Sequence, residues 1–173
     1  MTKLQAEDGL VINLAGRQRM LTQRMTKEAL TYYILKDEKT KQSLLNTIKI
    51  FDTTLVALKD GGKAPFDLAW EKIVILPTAP EEVKIQLEKV KQLWDTFYSN
   101  MNKFIETDDK EALDYILKNN IPLLSEMNIG VTLFQKESEK KVSLMKNLQL
   151  SFFIISILIG LYAFYILKKS LSL

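Results

Sequence analysis

Twenty consecutive residues, Leu148 to Leu167, read LQLSFFIISILIGLYAFYIL and carry no charge. A helix rising about 1.5 Å per residue would carry such a stretch across roughly 30 Å of hydrocarbon. Backbone in lipid must satisfy its own N–H and C=O groups, which a single segment does only as a helix. Lys146 precedes the stretch, Lys168-Lys169 follow it, and Tyr162 and Tyr165 approach its C-terminal end, where amphipathic rings settle at an interface. A buried core helix of a soluble protein is the alternative, but such helices rarely stay uncharged for so long. The expected division is a domain over residues 1–147, a transmembrane helix over 148–167 and a short basic tail over 168–173.

The rest of the chain reads as helices. The first is expected over Thr2–Lys36. The second runs Glu38–Lys59, with Leu44, Leu45, Ile48, Phe51, Leu55 and Leu58 at three-to-four spacing. Asp60-Gly61-Gly62 stops it, because glycine takes the left-handed conformation after a helix end without steric cost. Ala64–Pro80 is the least regular stretch. Ala79-Pro80-Glu81-Glu82 opens the third helix, whose stripe is Val83, Leu87, Val90, Trp94, Phe97, Met101 and Phe104. Thr107-Asp108-Asp109 caps a short helix to about Asn119. Asn120-Ile121-Pro122 is expected to break it, and a long last helix to start there. That helix carries Leu124, Met127, Val131, Phe134, Val142, Met145 and Leu148 and should run unbroken to Lys168. The expected fold class is all-α: an up-down-up-down four-helix bundle with a C-terminal transmembrane helix.

Composition restricts the chemistry. The chain has no Cys and no His, so disulfides, thiolates and the commonest general base and metal ligand are missing. Lys+Arg 24 against Asp+Glu 21 leaves a net charge of +3, too little for a broad nucleic-acid surface. Met20, Met25 and Met127 read as packing residues. Asp108, Asp109 and Glu111 are explained by a capped helix start, and Trp70 and Trp94 by core or rim packing. No metal, no cofactor, no nucleic acid and no enzymatic activity are expected.

The informative polar feature is Gly9–Lys27, GLVINLAGRQRMLTQRMTK, with three arginines, a lysine and no acid. On a wheel of about 100° per residue, Val11, Leu14, Gln18, Leu21 and Met25 form the core stripe. Ile12, Ala15, Arg19, Gln23 and Thr26 form a second stripe with Gly16 beside it, and Arg17 and Arg24 share a third face. The arginines are expected to lack a carboxylate one turn away. Their partner is then water, another segment of the chain or an anion. Small Ala15 and Gly16 would let another helix approach, with Arg19 and Gln23 in the seam and Thr22 as a further donor. If that helix belongs to a second copy, two Arg19 guanidiniums face each other across a two-fold axis, and an oxyanion between them relieves the repulsion.

INLAGRQRMLTQRM resembles the first-helix signature of the type IV pilus chemoreceptor (PilJ-type) sensor domain. It is similar also to the box of the NarX/NarQ nitrate sensors: Asn13, Ala15-Gly16, Arg19-Met20 and Arg24 fill that pattern. Phe51–Pro65, Leu76–Trp94 and Leu123–Leu150 resemble the family's later helices, in order. The resemblance implies a membrane-anchored sensor that binds a small anion, nitrate above all, at the interface of a parallel homodimer. Arg19 would supply the contact. Arg17 and Arg24 would be supporting charge, with Gly16, Ala15 and Gln23 completing the site. It also implies a bacterial inner-membrane location with the bundle in the periplasm, behind a first membrane helix just before the signature. Met1 stands only twelve residues before Asn13, and the lysines on either side of the apolar stretch do not choose an orientation. Within these residues no output module follows, so a separate signalling partner is expected. The other reading is a membrane-anchored helical module that binds a protein and no small ligand.

Overall fold

The computed structural model describes residues 3–171. Residues 172–173 of the expected tail, and Thr2 as the expected first helical residue, lie outside that range. The elements are α1 (Lys3–Leu35), α2 (Glu38–Asp60), β1 (Gly62–Pro65), β2 (Ile73–Leu76), α3 (Glu81–Thr107) and α4 (Lys110–Leu171). They form a four-helix bundle. Two compact units divide the chain, residues 1–135 and 136–173.

The helix boundaries follow local chemistry. Lys36, at φ 53°, donates its N–H to Tyr32 O at 2.9 Å and ends α1. Asp37 then caps α2 by accepting from Thr40 N at 2.9 Å. Gly61, at φ 81°, ends α2 by donating to Ala57 O at 3.0 Å. A Cβ there would stand 3.0 Å from the backbone nitrogen and the hydroxyl of Thr78. Gly61→Ala is therefore expected to cost about 1–2 kcal/mol, read as a lowered denaturation midpoint of the full chain in micelles.

Three expectations need correction. Ala64–Pro80 is not structureless: Ala64-Pro65 and Ile73–Leu76 fall in an antiparallel pair, Gly62 opposite Leu76 and Pro65 opposite Ile73. The β-branched run Ile73-Val74-Ile75 favours this over helix. Second, Pro122 does not end a helix; it lies inside α4. Proline removes one backbone donor, the one that would reach the carbonyl of Lys118. Burial of Ile116, Leu123, Met127 and Val131 on one face rewards continuing the helix. Third, the core stripe of α4 passes through Leu123, whereas Leu124 is half-buried. The helix includes the expected Pro122–Lys168 span without interruption.

The first unit has one apolar core. The α1 stripe of Val11, Leu14, Gln18, Leu21 and Met25 is buried throughout, as is the α3 stripe from Val83 to Phe104. Trp94 is fully buried; its ring lies 4.3 Å from that of Phe51 and its indole N–H donates to Asp52 Oδ1 at 2.8 Å. Trp70, in the hairpin loop, is half-buried and donates to Asn46 Oδ1 at 2.9 Å. In the second unit, every side chain from Leu148 to Leu167 is exposed. Within its own unit the stretch is not packed as a core helix. α4 is long and apolar enough to cross a membrane, and a continuous apolar surface of this size is stable only in lipid or against other apolar helices.

Candidate functional site

The arginines of the charged stretch do not gather at one place. Arg17 turns to the hairpin. Its guanidinium donates to Pro65 O at 2.5 Å, Phe66 O at 2.6 Å and Thr54 Oγ1 at 3.4 Å. Burial pushes Arg17 below the usual guanidinium value, and nearby Asp67 works in the opposite direction. Its Nε is buried without a partner among the described residues. Arg17 thus clamps carbonyls that β1 and the loop after it would otherwise leave open.

Arg24 corrects the expectation of arginines without an acid one turn away. Its Nε pairs with Glu28 Oε1 at 2.8 Å, and its Nη2 lies 3.4 Å from Ser43 Oγ. Ser43 in turn donates to the same Glu28 oxygen at 2.7 Å. Glu28 stands at i+4 just past Lys27, beyond the acid-free stretch, where a helix brings it beside Arg24. Arg24 lines a groove of about 630 Å³ at the α1–α2 end, with Lys27, Thr31, Asp37, Lys39 and Thr40.

Arg19 has a different environment. Its Nη1 donates to Asn128 Oδ1 of α4 at 2.7 Å. Among the described residues no carboxylate forms a salt bridge with it. Its Nη2 lies 3.6 Å from where a Cβ on Gly16 would stand, so the guanidinium folds back over the bare backbone of that glycine. A groove of about 620 Å³ opens beside it, walled by Met20 from α1 and by Ile121, Leu124, Ser125 and Asn128 from α4. Met20 and Ile121 are 44% and 58% exposed, so Met20 is not the packing residue its type suggested. Met25 and Met127 are buried as packing residues.

The second stripe is only partly open. Gln23 is exposed, and Ile12, Gly16 and Arg19 are half-buried. Ala15 is 0% exposed, against the expectation that it be kept for a second copy. It borders the core stripe beside Leu14, and the chain's own helices cover it. Thr22 is buried too, and its hydroxyl donates to Arg19 O at 2.8 Å, so it offers no donor to a ligand. The wheel gave no sign of the α4 wall. The only trace in the sequence is Ile121, Leu124, Ser125 and Asn128 at three-to-four spacing beside the core stripe.

A helical bundle with a half-buried, acid-free arginine in an open groove, joined to an apolar segment of membrane length, has the build of a receptor sensor module. The family model described as type IV pili methyl-accepting chemotaxis transducer N-term (PilJ) matches residues 1–118. The chain belongs to this family of chemoreceptor sensor domains. Its fold is shared with the ligand-binding domain of the P. aeruginosa nitrate receptor McpN. The two are 24% identical with a TM-score of 0.55, over 75% of this chain and 96% of that one. No curated protein sequence matches the chain.

Proposed function

We propose that the chain senses a small oxyanion, with nitrate first, and that Arg19 is the contact. The observation that carries this is the difference between the three arginines. Arg17 is occupied by carbonyls and Arg24 by Glu28, whereas among the described residues the Arg19 side chain has only a neutral amide partner and borders an open groove. A guanidinium in that state keeps its charge and a donor fork for a planar or tetrahedral anion. The structural relative named for nitrate agrees with this choice. Gly16 lines the same groove, and exposed Gln23 stands one turn on from Arg19. Arg17 contributes charge at a distance, Arg24 less because Glu28 pairs with it, and Ala15 contributes only by its small size.

The working unit in this reading is a parallel homodimer with the Arg19 grooves facing each other. Exposed Met20 and Ile121 give that interface apolar area beside the charge. Two facing guanidiniums about 4 Å apart repel by roughly 1–4 kcal/mol, depending on solvent access. An anion shared between them removes that repulsion and favours one packing of the helices. The change then passes along α4 into a membrane-embedded segment of an inner-membrane protein whose bundle lies in the periplasm, and on to a signalling partner.

The test is calorimetric titration of the full chain in detergent micelles with nitrate, nitrite, sulfate and phosphate. Binding of at least one at millimolar concentration or below is expected. Binding of none would leave a protein-docking role for the groove.

A further inference from the structure

We propose that Asn128 of α4 is a positioning residue for Arg19, holding one edge of the guanidinium so that the other is presented to the anion. This rests on the anion-sensing reading of the groove. A guanidinium has two forks for an oxyanion, Nη1–Nη2 and Nη2–Nε. Asn128 Oδ1 accepts from Nη1 at 2.7 Å. That takes up one Nη1 donor and leaves the Nη2–Nε fork without a hydrogen-bond partner among the described residues. Gly16 leaves room on the other side, since a Cβ there would stand 3.6 Å from Nη2. The guanidinium thus lies beside the bare α1 backbone with one edge bonded to an α4 amide.

The choice of an amide has a consequence. A carboxylate at 128 would hold Arg19 at least as firmly but cancel its charge. An amide oxygen orients without neutralising. Ser125 lies three residues earlier on the same wall and offers a hydroxyl. The set has donors for an oxyanion and no formal negative charge to attract a cation.

The chain has three arginines, so the full protein labelled with 15N-arginine in micelles gives three assignable side-chain signals. Arg19 is expected to show hindered guanidinium rotation in the wild type and free rotation in Asn128→Ala. The nitrate dissociation constant should rise about three- to tenfold in Asn128→Ala, as for one lost charge-assisted hydrogen bond. It should rise at least tenfold in Asn128→Asp, although the acceptor is kept. In an Arg19→Lys background, Asn128→Ala should have no further effect, since the fork it orients is gone. Asn128 is exposed, so the melting temperature should not move. A freely rotating Arg19 in a wild type that still binds nitrate would overturn the positioning role alone. So would an Asn128→Ala variant with unchanged affinity, or the same loss in the Arg19→Lys background. A wild type that binds no anion would overturn the sensing reading and the positioning role together.

Discussion

Arg19→Ala is expected to raise the dissociation constant for nitrate by about ten- to a hundredfold for each guanidinium removed, while leaving the bundle folded. Among the described residues the Arg19 side chain makes one hydrogen bond, to an exposed amide, and it lies off the core stripe. Truncation should therefore cost about 0.5 kcal/mol of stability or less. On the proposed reading, what is lost is a charge-assisted contact made by two copies at once. Arg19→Lys should recover only part of the affinity, because an ammonium has the charge without the planar fork. Arg24→Ala should weaken binding less, since Arg24 is neutralised by Glu28 in a different groove. Calorimetric titration beside a thermal melt separates these outcomes. An Arg19→Ala protein that binds nitrate like the wild type would refute the assignment.

Trp94→Ala should show the opposite profile. Trp94 is the largest of the fully buried side chains, packed on Phe51 at 4.3 Å and Phe97 at 6.0 Å between ring centres. Removing it leaves a cavity and strands Asp52, which accepts the indole N–H at 2.8 Å. The expected loss is about 3–5 kcal/mol, a large share of the roughly 5–15 kcal/mol that holds a domain together. For a chain of this size that corresponds to a melting temperature lower by about 6–20 °C. Where the variant still folds, nitrate affinity should stay near wild type, because Trp94 does not line the Arg19 groove. A Trp94→Ala protein with an unchanged melt would contradict the packing described above.

Features set by local period were readable from the chain. The α1 core stripe and the α3 stripe follow from 3.6-residue spacing, and Gly61 from the conformation a helix end requires. The apolar stretch followed from length and charge alone. Leu124 was assigned to the core in place of Leu123 because both fit a broad helical face, and only the packing of α4 on the other helices selects the phase. The hairpin was missed because Gly62–Pro65 is too short and proline-ended to signal a strand without its partner Ile73–Leu76. Ala15 was misjudged because a small residue looks the same in a seam and beside a core. Glu28 was within reach of local reasoning, since i+4 pairing needs only the sequence. Asn128 was not. It meets Arg19 across 109 residues, and Arg17 meets the hairpin carbonyls across 48 and 49, separations no local pattern encodes.

The central claim is that one anion is shared by two copies of Arg19, and stoichiometry tests it most directly. The full chain in micelles, at a concentration where it is dimeric by light scattering, is titrated with nitrate in a calorimeter. The predicted result is one nitrate per two chains, with the heat abolished in Arg19→Ala. One nitrate per chain, or an unchanged isotherm in Arg19→Ala, would contradict it.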